Sequence, residues 1–107
     1  MASFYRFETT ALTLKFTPEG ILDDYKHIVV SISQTDNQLD LSENNLSIDE
    51  LNDSITFSLS QEQTSQFRVG RAEIQVNIYY NDTNRNVSTK GYIEVYDNLY
   101  NKVMNNE

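Results

Sequence analysis

Apolar residues recur at every second position in block after block of this chain, the mark of strands with one buried face, and no stretch sustains helical periodicity. In "ALTLKFT" Leu12, Leu14 and Phe16 share one face and Thr13 and Lys15 the other, until Pro18, Glu19 and Gly20 break the run with turn chemistry. In "HIVVSISQ" the inward set is Ile28, Val30 and Ile32, with Val29, Ser31 and Ser33 facing out. From Thr35 to Asp53 the pattern thins to the short pairs Leu39/Leu41 and Leu46/Ile48, separated by "SENN". Two short strands around a turn fit these pairs, and the capping-box spacing of Ser47 and Glu50 offers a helical turn as the alternative. "SITFSLS" resumes the alternation, with Ile55, Phe57 and Leu59 inward.

The grammar changes at Ser60. Ser60 and Gln63 have the spacing of a capping box, in which the hydroxyl accepts from the Gln63 amide and the Gln63 side chain returns to the Ser60 amide. One or two helical turns follow, ending before Gly70, the residue type that takes positive φ without strain, with Phe67 and Val69 tucked under as an apolar plug. This short polar helix is expected to carry the chain from one sheet to the other.

Beyond it, "RAEIQVNIYY" sends Ala72, Ile74, Val76, Ile78 and Tyr80 inward, and "VSTKGYIEVY" does the same with Val87, Thr89, Gly91, Ile93 and Val95. The two runs predict an antiparallel hairpin across "NDTNRN". Charge selects its register. Pairing Ile78 with Val87 sets Arg71 opposite Glu94, whereas a two-residue shift sets Glu73 opposite Glu94. Gly91 then faces Ile74 and leaves a gap for a neighbouring side chain to fill. The last stretch, from about residue 99 to 107, is polar and unpatterned apart from Leu99 and Val103, and is expected to be a flexible tail or to order against a partner. The sum is an all-β chain: a single antiparallel β-sandwich domain over residues 1–107, Ig-like or jelly-roll-like, with one short helical turn near residues 60–67.

Composition narrows the function. The 107 residues make one domain with room for a two-layer core. A formal charge of −8, with eight Lys and Arg scattered singly, argues against nucleic acid and against an anionic membrane surface as partners. Without cysteine there is neither a disulfide framework nor a thiolate metal site. The start "MASFYRFETT" lacks the basic opening and apolar run of a signal peptide, so synthesis and folding in a cytoplasm are expected. The glycosylation triplets at Asn45, Asn52, Asn81 and Asn86 then read as chance in an Asn-rich chain.

No catalytic or metal constellation emerges, and no cofactor is expected. His27 is the sole histidine and precedes a strand, so a His-based triad or His-rich metal site has no parts to draw on. The carboxylates Asp23, Asp24, Asp36, Asp40, Glu43, Asp49, Glu50 and Asp53 fall where turns are expected and read as a solvated acidic rim. A glycosidase pair drawn from them would lack aromatic platforms, and the chain has no Trp. The polar face of the last hairpin is the more informative feature. There Tyr79, Tyr92 and Tyr96 alternate with Gln75, Asn77 and Lys90, a candidate contact surface, because tyrosine is enriched where protein surfaces meet. The bland alternative is ordinary cross-strand covering by aromatics, and a carbohydrate platform is a further one.

The order Leu59, Ser60, Glu62, Thr64, Phe67, then Gly70, Ala72, Ile74, Gln75 and Val76 resembles the shared core of the N-terminal domains of tailed-phage baseplate upper proteins and related small virion proteins. That core is a strand end, an "S/T-x-E-x-T" turn, a Phe, a Gly and "x-V-x-I-Q-V"; the resemblance spans Ile55 to Leu99. It departs at the hairpin, where the family often has a tight Asp-Gly turn and this chain has "NDTNRN". The resemblance implies a β-sandwich that is not an enzyme. It implies a structural component of a virion, at a baseplate, tail adaptor, head decoration or head-fibre base, partnered by other virion proteins in a homo-oligomer or symmetric assembly.

Overall fold

The computed structural model describes residues 2–80 and 86–99. Among the described residues eight strands form two sheets: β1 (Ala2–Tyr5), β2 (Thr10–Lys15), β3 (Tyr25–Gln34), β4 (Asn37–Leu41), β5 (Ser47–Asp49), β6 (Ser54–Leu59), β7 (Gly70–Tyr80) and β8 (Asn86–Tyr96). The five-stranded sheet has the order β1-β8-β7-β3-β4 and the three-stranded sheet the order β2-β6-β5. The architecture is the all-β sandwich that the alternation predicts, with α1 (Gln61–Ser65) as the lone α-helix among the described residues.

The period-two faces meet as expected. Ile28, Val30, Ile32, Ile74, Ile78, Ile93 and Val95 of the larger sheet are buried against Leu12, Ile55, Phe57 and Leu59 of the smaller one. Pairing of β7 with β8 has the charge-selected register, with Ile78 opposite Val87 and Arg71 opposite Glu94 at 3.2 Å. Gly91 faces Ile74, whose Cγ2 lies 3.6 Å from where a Cβ on Gly91 would stand, so Ile74 itself closes over the glycine. The inward positions of β8 divide in two. Ile93 and Val95 are fully covered, whereas Val87 is half-buried and Thr89 exposed, because the smaller sheet does not reach the first half of β8.

Between the sheets, the turn from Ser60 to Gly70 forms as its sequence dictates. Ser60 Oγ accepts from the Gln63 amide at 3.2 Å, and Gln63 Oε1 accepts from the Ser60 amide at 2.9 Å. The buried Thr64 hydroxyl donates to the Glu8 carbonyl at 2.8 Å, fastening the helix to the loop before β2. Gly70 has φ +128°, a conformation that any side chain would strain. Phe67 is buried as the plug, edge-on to Phe4 with ring centroids 5.6 Å apart. Val69 departs from expectation: it is 57% exposed, because the chain has already turned outward to begin β7.

Two features lie outside the alternating runs. The segment "ASFY" forms β1, parallel to β8 with Phe4 opposite Val95, which makes the larger sheet mixed rather than antiparallel throughout. The loop after β2 supplies Ile21 and Leu22 to the core. It is held by Asp53, whose backbone carbonyl accepts from the Phe16 amide at 2.8 Å and whose Oδ1 accepts from the Gly20 amide at 2.9 Å. Asp53 is therefore buried and structural, not part of a solvated rim. The middle of the chain resolves as two short strands: β4 pairs with β3, a single 3-10 turn (Glu43–Asn45) follows, and β5 pairs with β6. Ser47 sits in β5 and caps no helix; Asp49 instead accepts from the Asn52 amide at 3.2 Å to close the turn. Residues 81–85 of the expected "NDTNRN" turn and the tail beyond Leu99 lie outside the described residues.

Candidate contact surface

Alternation along β7 and β8 puts Gln75, Asn77, Tyr79, Tyr92 and Tyr96 on the outer face of the five-stranded sheet. All three tyrosines are exposed: 41% for Tyr79, 50% for Tyr92 and 46% for Tyr96. They do not form one cluster. Tyr92 lies opposite Glu73, six residues from Tyr79 along β7, a separation of roughly 20 Å at about 3.3 Å per residue. Tyr79 stands at one end, between His27 of β3 and Asn86 of β8. Gln75 and Asn77 occupy the polar middle, opposite Lys90 and Ser88.

At the other end stands a tyrosine that lies outside the alternating runs. Tyr5 of β1 lies beside Tyr96, ring centroids 5.4 Å apart, and is itself 50% exposed. The Arg71 guanidinium sits 5.0 Å from the centroid of the Tyr92 ring and pairs with Glu94. Three tyrosines and an arginine thus share one end of the sheet, the residue types that most often anchor protein interfaces. The signal for Tyr5 was present in the sequence: "SFYR" buries Phe4 and so turns Tyr5 outward, but four residues are too few for period two to declare a strand.

Charge on this face is balanced. Lys90 Nζ lies 2.7 Å from Glu73 Oε1, and this bond, followed by the Coulomb attraction, holds the Lys90 ammonium above its usual pKa. With Arg71 and Glu94 paired as well, the outer faces of β7 and β8 carry no excess charge on a chain of −8. The excess lies toward β4, the 3-10 turn and β5, where several carboxylates are tied into local structure. The Glu43 carboxylate is held below the usual range by its own backbone amide and the Ile28 amide, with His27 Nδ1 2.9 Å away. That of Asp40 is lowered by the Ser31 hydroxyl at 2.6 Å and then by the Gln38 amide. Among the described residues no three His, Cys, Asp or Glu side chains converge as a metal site would require. Beside Tyr92 is a shallow polar depression of about 490 Å³ bounded by Ser33, Gln34, Thr35, Arg71 and Glu73.

Fold and face together define an all-β sandwich-like domain that presents a neutral, tyrosine-bearing sheet. No family model matches its sequence, and no curated protein matches it. Solved structures do. The N-terminal domain of phage TP901-1 ORF48 is similar with a TM-score of 0.62 at 12% identity, over 90% of this chain and 84% of that one. The endo-beta-1,4-mannanase from Thermotoga petrophila is similar with a TM-score of 0.57 at 12% identity, over 91% of this chain. A Bacteroides vulgatus chain named as a glycoside hydrolase is similar with a TM-score of 0.52 at 10% identity, over 92% of this chain. This chain spans only 18% and 17% of those two. At such identities the likeness is one of fold, shared with a phage protein domain and with a fraction of two glycosidase-named chains.

Proposed function

We propose that the protein is a non-catalytic structural component of a tailed-phage particle, related to the N-terminal domains of baseplate upper proteins, that works through subunit contacts on the outer face of its five-stranded sheet. The observation that carries the reading is the extent of the match. The phage domain is covered over 84% of its length, whereas the glycosidase-named chains are matched over less than a fifth. The neutral face with Tyr5, Tyr92 and Tyr96 beside Arg71 supports it, because aromatic and arginine anchors free of net charge suit a desolvated contact. The partners are other virion proteins or further copies of this chain, and the site of action is the virion. The test is solution mass with and without the proteins encoded beside it. A stoichiometric complex or stable oligomer lost in Tyr92→Ala/Tyr96→Ala is expected; a monomer indifferent to every neighbour refutes the proposal.

A second reading, a carbohydrate-binding module, is favoured by the fold shared with part of a mannanase chain and by the polar depression beside Tyr92. It requires saturable glycan binding that Tyr92→Ala abolishes. The absence of Trp and the split of Tyr79 from Tyr92 weigh against a continuous sugar platform.

A further inference from the structure

The two sheets differ in width, and one side of the sandwich is left open. Among the described residues, β1 pairs with β8 only from Ile93 to Tyr96, so Asn86–Tyr92 has no strand on that side. Across the opening, β2 is an edge strand of the smaller sheet and pairs only with β6. Between these two unpaired edges runs a cleft of about 500 Å³ whose apolar lining includes Leu14, Phe16, Ile74 and Val76, with Gly91 at its lip. An unpaired edge presents a row of backbone donors and acceptors, and an apolar groove beside it offers sites for alternate side chains of an added strand.

We propose that this cleft takes an extended segment of a partner protein, bearing small apolar residues in alternation with carboxylates, which adds to the five-stranded sheet along Asn86–Tyr92 in line with β1. The proposal concerns the free edge of β8 and the cleft beneath it, which reach the outer face at Lys90 and Tyr92 but not at Tyr5 or Tyr96.

Charge selects the occupant. Lys15 and Lys90 are the charged residues that line the cleft, with no carboxylate among them, on a chain of −8. Lys90 is paired with Glu73, but Lys15 makes no ion pair among the described residues. A second copy adding edge to edge brings Asn86–Tyr92, a run without a carboxylate, and so offers Lys15 no counter-charge. A carboxylate-bearing segment meets attraction instead. Gly91 supplies the room. A Cβ there would meet only Ile74 Cγ2, and the residue has no positive φ, so a partner side chain enters the open space beside Gly91 where a larger residue at position 91 would stand.

That geometry also provides the control. A Cβ at position 91 meets only Ile74 Cγ2 at an ordinary 3.6 Å and a β-branched residue suits a strand, so Gly91→Val fills the groove, with its melting temperature measured beside binding to verify the fold. The experiment titrates the full chain with a synthetic peptide of about nine residues, alternating valine with threonine and carrying two glutamates, long enough to span the free edge at about 3.3 Å per residue. Amide shifts and hydrogen exchange are followed by NMR. Saturable shifts and new amide protection confined to Asn86–Tyr92 and the β2 edge are expected, lost in Gly91→Val, and about five- to tenfold weaker affinity for the peptide with lysines in place of glutamates. Absence of saturable shifts up to millimolar peptide overturns the proposal. So does protection of those edge amides before peptide is added, equal affinity for both peptides, or unaltered binding by Gly91→Val. Because Tyr96 lies on the outer face and lines no part of the cleft, Tyr96→Ala alone distinguishes failure of one claim from failure of the other.

Discussion

Arg6 joins three parts of the molecule, and its removal has a calculable cost. Its Nε donates to the Phe67 carbonyl at 2.6 Å and an NH2 group to the Ser65 carbonyl at 3.2 Å, satisfying oxygens at the end of α1 that the short helix leaves without partners. Its other terminal nitrogen lies 3.3 Å from Asp97 Oδ1, while its own amide donates to the Tyr96 carbonyl. The Arg6 side chain is 25% exposed and that of Asp97 57%, so the two carbonyl bonds are the sheltered contacts and the ion pair is screened. Hydrogen bonds from a charged donor contribute about 1.5–3 kcal/mol each, and two on one guanidinium are less than additive. An exposed ion pair adds about 0.2–1 kcal/mol before screening. Arg6→Ala is therefore expected to cost about 3 kcal/mol, and Asp97→Asn less than about 1 kcal/mol. With a urea slope of about 2 kcal/mol per M, the midpoint of Arg6→Ala moves down by about 1.5 M and that of Asp97→Asn by under about 0.5 M. Urea unfolding followed by tyrosine fluorescence and circular dichroism reads both. If Arg6→Ala falls within about 0.3 M of the parent, or Asp97→Asn costs as much as Arg6→Ala, the assignment of Arg6 to the carbonyls is wrong.

Other perturbations separate the devices that shape the crossing between sheets. Ser60→Ala removes the cap and is expected to lower stability by about 1 kcal/mol, read by the same urea curves. Phe67→Ala removes a buried ring and its edge-on contact with Phe4, costing about 3–5 kcal/mol, enough to abolish cooperative melting in a marginal fold. Gly70→Ala meets no atom within 4 Å yet must hold φ +128°, so it is expected to destabilise by about 1–2 kcal/mol through the backbone alone. Acid acts through Asp40 and Glu43, whose pKa values are depressed in the folded state. Stability from a depressed carboxylate is present above its unfolded value and is lost as pH falls through the folded one. Melting temperature should accordingly drop below the ordinary carboxylate range, and less steeply in Glu43→Gln.

What the sequence disclosed, and what it hid, follows from the length of each pattern. The long alternation from Gly70 to Tyr80 and from Asn86 to Tyr96 exposed both strands, their register and the inward set of β7, because a slip would have opposed Glu73 to Glu94; of the inward set of β8 only Ile93 and Val95 are buried. The capping box was legible because it is local: Ser60 and Gln63 need only each other. By contrast, β1 is four residues long and pairs with residues about ninety positions later, so only packing of Phe4 on Phe67 reveals it. Asp53 was misread for a similar reason, since its partners Phe16 and Gly20 lie more than thirty residues away. The outer tyrosines were visible as a face, but not their division into a Tyr5, Tyr92 and Tyr96 end and a distant Tyr79, because that division depends on which strand lies beside β8.

The proposal of a virion component working through subunit contacts is met most directly by light scattering on the purified protein, alone and then mixed with each protein encoded beside it. The account predicts a defined oligomer or a stoichiometric complex whose mass reverts to that of the monomer in Tyr92→Ala/Tyr96→Ala. A strictly monomeric protein that ignores its neighbours, and whose tyrosine variant behaves identically, would contradict it.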